Sequence, residues 1–162
     1  KKLAASGKFS YMRMIRKGFT TVYGDGSDFE IGKGVTLKEG KDVAIIASGI
    51  MVDESLKAYE ALQAEGISVR VIDMFTWKPL DEELVLQAAK TCGKVITCEE
   101  HSIIGGLGEA VCAVLSEKLP TPVRRVGVQD VFGCSGPAWD LLKEYGLDAA
   151  TICKTAKEML GR

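Results

Sequence analysis

One stretch gathers side chains able to hold or move a proton. Lys94 to Glu109 reads KVITCEEHSIIGGLGE. A short apolar run, Val95 to Cys98, leads into two carboxylates, Glu99 and Glu100, and then into His101, the only histidine of the chain. A histidine beside a carboxylate suits acid–base work, because the acid orients the ring and steadies its charged form. The loop that follows carries Gly105, Gly106 and Gly108, and a helix N-terminus behind glycines offers free N–H groups to an anion. Each feature also has a plainer reading. The acids suit a solvated strand end. His101, with no nucleophile in its segment, suits a cleft wall or an interface. The glycines suit a tight turn and close helix packing. The loop is not GxGxxG, follows the third strand of a repeat, and has no acid at the ribose distance, so the turn is favoured over dinucleotide binding.

Three other places carry residues suited to chemistry. Arg13 and Arg16 lie in Phe9 to Ile15 and just beyond it, a stretch that alternates like a strand. Guanidinium groups suit phosphate or carboxylate, while ordinary surface charge is the plain alternative. Gly24-Asp25-Gly26 opens like the diphosphate and magnesium motif of thiamine enzymes, but that motif closes on asparagine and the chain contains none; a turn is expected. Cys134, in Phe132-Gly133-Cys134-Ser135-Gly136-Pro137, stands before an expected helix N-terminus, where a thiol gains reactivity; packing is the favoured reading. The five cysteines include no CxxC, and with one histidine they make no zinc constellation. Cys98, Cys112 and Cys153 fall on apolar faces as small hydrophobes.

The elements that must position these groups alternate regularly. Gly34 to Glu39 reads as an extended segment. Val43 to Ala47, Val69 to Ile72, Val95 to Cys98 and Pro122 to Val128 read as strands, the first apolar throughout as a doubly covered strand requires. Helices are expected between them. One carries Val52, Leu56, Tyr59 and Leu62 on a face and stops at Gly66. The next is capped by Asp81, faces inward with Leu84, Val85, Ala88 and Ala89, and stops at Gly93. A third carries Leu107, Ala110, Val111, Val114 and Leu115. Two more close the chain, one begun by Pro137 and stopped by Gly146, one capped by Asp148 with Ala149, Ile152, Ala156 and Met159 inward. Strand alternating with helix predicts a largely parallel sheet covered on both sides.

Bulk properties narrow the function classes. The 162 residues carry 21 Lys and Arg against 22 Asp and Glu, a net charge of -1. That balance offers no groove for nucleic acid and no face for an anionic membrane. No apolar run approaches the roughly 20 residues of a membrane span. Thiols without a disulfide pattern suggest a reduced, cytoplasmic setting. The first residues, Lys1-Lys2-Leu3, lack Met and start as if within a helix, so the chain is read as a piece of a longer one.

Four segments, in order, carry a resemblance: VAIIASGIMV, VIDMFTWKPLDEE, VITCEEHSIIGGLGEAV and VFGCSG. Together they resemble the C-terminal domain of transketolase-like thiamine diphosphate enzymes, and in particular the C-terminal subunits of split transketolases, over nearly the whole chain. The resemblance implies a three-layer α/β/α domain whose five-stranded mixed sheet has four parallel strands and one antiparallel edge strand. It implies that residues 1–23 are the tail of a preceding pyrimidine-binding domain, 24–41 a connector with the antiparallel edge strand, and 42–162 the domain itself.

For function it implies two-carbon ketol transfer between sugar phosphates by the parent enzyme, with thiamine diphosphate and magnesium held by parts outside this segment. None of these is expected to bind here. The segment would serve dimerisation and the substrate channel and would have no turnover alone. Arg13 falls where the family holds the sugar phosphate, and Arg13 with His101 is the expected substrate-binding pair. The expected partners are an N-terminal transketolase subunit or domain and a second copy. The beta subunits of 2-oxo-acid dehydrogenases, deoxyxylulose-phosphate synthase and a nucleotide or coenzyme A binding module are the alternatives. A signalling receiver would need paired acids where Ser48-Gly49 stands.

Overall fold

A segment with no polar side chain can be buried only where its backbone is fully hydrogen-bonded, which makes Val43–Ala47 (β2) the natural centre of a sheet. In the computed structural model, which describes residues 1–15 and 20–162, all five of its residues are buried. It pairs in parallel with Val69–Asp73 (β3) on one side and Val95–Ser102 (β4) on the other. Beyond β4 lies Val123–Val128 (β5), again parallel. Val35–Lys38 (β1) pairs antiparallel with β3, giving the order β1-β3-β2-β4-β5. This is the expected mixed sheet, with one antiparallel edge.

Alternation along β2 splits the core in two. Val43, Ile45 and Ala47 face one side with Val71 and Ile96, where Met51–Ala64 (α2) and Ala149–Leu160 (α6) cover them through Met51, Leu62, Ile152 and Ala156. Ala44 and Ile46 face the other with Ile72 and Val95, under Glu82–Cys92 (α3) and Leu107–Lys118 (α4), through Val85, Ala88, Val111 and Leu115. Two short helices, Lys2–Ala5 (α1) and Ala138–Glu144 (α5), bury no residue completely. Pro137 is the residue before α5 rather than its first helical position. Asp148 caps α6 as expected, its carboxylate accepting from Thr151 N at 2.8 Å.

The order of the strands puts a crevice at one place. From β2 the chain crosses to β3 on one flank, then returns past β2 to β4 on the other. Adjacent connections therefore diverge between the carboxyl ends of β2 and β4, where open α/β sheets gather ligands.

Two sequence expectations are corrected. Phe9 to Ile15 makes no strand. A strand exists only with a ladder partner, no described strand lies beside this one, and Phe9, Tyr11, Met12 and Met14 stand exposed. Arg16, expected just beyond it, lies outside the described residues. The other correction concerns β4, which does not stop at Cys98 but runs on through Glu99, Glu100 and His101 to Ser102.

Asp81 ties the start of α3 to the start of the edge strand β1. One carboxylate oxygen accepts from Leu84 N as the α3 cap, and the other accepts from Gly34 N just before β1, each at 3.1 Å. Asp81→Ala orphans both donors, so it is expected to cost roughly 1–3 kcal/mol of stability. Urea denaturation should show a lower midpoint at unchanged slope.

Candidate functional site

The bend in β4 builds the site. Cys98 pairs with Val126 and Ser102 with Val128, so Glu99, Glu100 and His101 stand opposite Gly127 alone. Such a bulge re-aims side chains and is common beside functional sites. Glu99 keeps the alternation of Val95 and Thr97 and points to the α4 face. The carboxylate is fully buried, with Oε2 accepting from Leu107 N at 2.6 Å and Oε1 from Gly108 N at 2.9 Å. Two orphan donors of the helix and its positive end are thereby matched by one internal anion. A Cβ on Gly106 would lie 2.0 Å from Glu99 Oε2, so only glycine fits there. The favoured reading of the loop, a turn for close packing, is borne out. The solvated strand end is overturned, because the helix start supplies the partners that let Glu99 be buried.

His101 covers this carboxylate. Its Nδ1 lies 3.3 Å from Glu99 Oε2 and 3.3 Å from the Ser102 carbonyl oxygen. Trp77 meets the imidazole edge-on with centroids 4.6 Å apart, and Nε2 is buried without a partner among the described residues.

Glu100 occupies the crevice between β2 and β4. A Cβ on Gly49, which sits at φ +60°, would come within 3.2 Å of Glu100 Oε1. Arg13 Nη1 lies 2.5 Å from that same oxygen, an ion pair by distance though not aligned as a hydrogen bond. The Glu100 side chain is 6% exposed and that of Arg13 is 45% exposed, so the arginine keeps an open side toward solvent. Arg13 and His101 thus approach neighbouring carboxylates of one bulge.

Beside them the connector is latched. Tyr23 Oη donates to Asp73 Oδ2 at 2.7 Å, at the carboxyl end of β3. Tyr23 meets Phe29 edge-on, and Phe29 meets Phe75 likewise. Burial pushes the Tyr23 phenol well above its ordinary value, and the bond to Asp73 adds to the rise. Burial also raises the Asp73 carboxyl, against the lowering by that bond.

The remaining candidates fall elsewhere. Gly24-Asp25-Gly26 is an exposed turn, as expected. Cys134 is exposed rather than packed, with the Tyr145 hydroxyl 3.3 Å from its sulfur. Cys98 is buried, and burial pushes its thiol up to about 12, which removes it from chemistry. Trp77, Gly49 and the Tyr23–Asp73 bond were not anticipated. One signal for Glu99 was available. No Ser, Thr, Asp or Asn stands where α4 begins, so its first N–H groups needed an acceptor from elsewhere in the chain.

The thiamine diphosphate group of transketolase-like enzymes can be tested against these residues. A diphosphate needs free N–H groups at a glycine-rich turn. Here the α4 start is filled by Glu99, and Gly24-Asp25-Gly26 is an exposed turn. The residues of these two turns do not fit the group.

Comparison with known proteins agrees with this geometry. Residues 32–152 match the family described as "Transketolase, C-terminal domain". The 6-deoxy-6-sulfo-D-fructose transketolase subunit SqwH of Clostridium sp. (strain MSTE9) is 43% identical over 152 residues, covering 94% of this chain and 47% of that protein. One subunit of the apulose-4-phosphate transketolase of Phocaeicola vulgatus is 42% identical over 151 residues, covering 93% and 48%. The chain therefore spans about half the length of these curated relatives. Among solved structures, one described as "Split gene transketolase, inactive beta4 tetramer" superposes with a TM-score of 0.87 at 50% identity, over 90% of this chain and 48% of that one.

Two outcomes are expected. Gly106→Ala drives a methyl into a buried carboxylate and should lower stability by at least ~2 kcal/mol, against within ~0.5 kcal/mol for Gly133→Ala, which meets open space. Urea unfolding of both variants checks this. A phenol whose folded value is raised contributes stability that is whole below its unfolded value near 10 and is lost as pH rises through the folded value. Urea midpoints from about pH 8 to about pH 11 should therefore fall more steeply for the parent chain than for Tyr23→Phe.

Proposed function

Because the chain belongs to the transketolase C-terminal domain family, we propose that it is the C-terminal section of an enzyme that moves a two-carbon ketol unit between sugar phosphates. The match over residues 32–152 carries this reading. The named transketolase subunits, which the chain covers to about half their length, support it. Thiamine diphosphate and magnesium serve the whole enzyme and are held by its other section, because the glycine turn of this chain is closed by Glu99. Residues 1–23 belong with that other section. Their apolar side chains at Phe9, Tyr11, Met12 and Met14 stand exposed here and would be covered by it. The chain also pairs with a second copy of itself. A cytoplasmic place suits five free thiols, and among the described residues no helix is long and apolar enough to cross a membrane.

Within that enzyme the chain lines the substrate channel. Arg13, half exposed and steadied by Glu100 at the crevice, takes the sugar phosphate. His101, on the same bulge, faces the sugar. Neither performs the carbon chemistry, so their work is binding and orientation.

The test is assembly. This chain with a thiamine diphosphate-binding section should transfer ketol units from a ketose phosphate, and either part alone should not. Calorimetry of this chain with thiamine diphosphate and magnesium should show no heat of binding. Tight binding by the chain alone would overturn the division of labour, and an assembled enzyme that used only pyruvate would overturn the substrate class. In the assembled enzyme, Arg13→Ala should raise KM for phosphorylated acceptors by roughly 10- to 100-fold and leave unphosphorylated ones unchanged.

A further inference from the structure

The two oxygens around His101 Nδ1 decide where its proton sits. The Ser102 carbonyl oxygen is aligned as a hydrogen-bond acceptor for that nitrogen, and Glu99 Oε2, at the same 3.3 Å, faces it as a charge rather than an aligned acceptor. Neither has a proton to give. The Glu99 oxygens each accept an N–H of α4, and a carbonyl only accepts. A bare Nδ1 would set its lone pair against both, so Nδ1 carries the hydrogen. In the neutral ring this leaves Nε2 as an acceptor. Nε2 is buried and meets no donor among the described residues, and a lone pair removed from water without a donor is destabilising. The side chain as a whole is 26% exposed while Nε2 itself is covered, so a hydroxyl reaches that nitrogen only when the ring or a neighbour shifts.

We propose that Glu99 is a positioning residue for His101: it holds the neutral imidazole as the Nδ1–H tautomer and presents Nε2 as an acceptor for a hydroxyl of the sugar. This rests on the reading of His101 as a substrate-facing group. A phosphate is the wrong partner, since its oxygens would oppose the same lone pair beside two carboxylates, Glu99 and Glu100. The phosphate end is left to Arg13, so the bulge residue His101 and the arginine paired to its neighbour Glu100 anchor two chemically different ends of a substrate. Glu99 suits the task because it cannot swing away. It is fully buried and anchored by two backbone donors.

Because the chain has a single histidine, its two ring nitrogens can be read directly in a long-range proton–nitrogen NMR spectrum of the 15N-labelled chain. The pH should be set about two units above the usual imidazole value. The expected spectrum has a protonated, pyrrole-like Nδ1 and a bare, pyridine-like Nε2; the opposite tautomer overturns the proposal without any variant. In folded Glu99→Gln the tautomers should mix and the two shifts move toward each other. Unchanged shifts there would overturn the role of Glu99. Kinetics of the assembled enzyme separate this from the wider reading. His101→Leu should raise KM for phosphorylated and unphosphorylated sugars alike, by roughly tenfold, where Arg13→Ala affects only the former. A correct tautomer with an unmoved KM would overturn the sugar contact while leaving the hold of Glu99 on the ring intact.

Discussion

A carboxylate taken out of water must find compensating charge or hydrogen bonds, or the fold that buries it fails. Glu99 finds both at the start of α4, and much of the neighbouring structure follows from that one match. The bulge in β4 delivers the side chain to the helix. Gly106 must lack a Cβ so that the carboxylate can sit against the backbone. A surface that would otherwise attract a phosphate is occupied from within. His101 lies over the same carboxylate, with Nδ1 3.3 Å from Oε2.

This internal filling separates the chain from the nucleotide-binding sheets whose outline it shares. The strand order makes the usual crevice, but the crevice contains Glu100 against Gly49, with Arg13 paired to it from a segment far away in sequence. The polar groups at the carboxyl ends of β3 and β4 therefore gather neighbouring segments. Tyr23 reaches Asp73 and Arg13 reaches Glu100. Contacts of this kind fill the crevice from within the chain, which matches about half the length of its curated relatives.

The structure also explains why the segment with the most legible motif was misjudged in its details. Period-two reading ended β4 at Cys98, because two glutamates and a histidine look like the point where a strand meets water. In fact Glu99 continues the inward face of Val95 and Thr97, and only a helix start on that face makes its burial tolerable. The alternation along Phe9 to Ile15 was genuine, yet alternation states only which faces a strand would have. Without a neighbouring ladder the segment forms no strand.

Hydrophobic periodicity, the caps at Asp81 and Asp148 and the apolar run of β2 were local signals, and local signals determined the helices, the strands, the mixed sheet and the family resemblance. They depend on backbone geometry within a few residues, which sequence spacing encodes directly. What only the tertiary structure decided was pairing across distance: Glu99 with the α4 backbone, Trp77 with His101, Arg13 with Glu100 and Tyr23 with Asp73. Those partners are joined by the strand order and by a three-against-one bulge, which no spacing along the chain records.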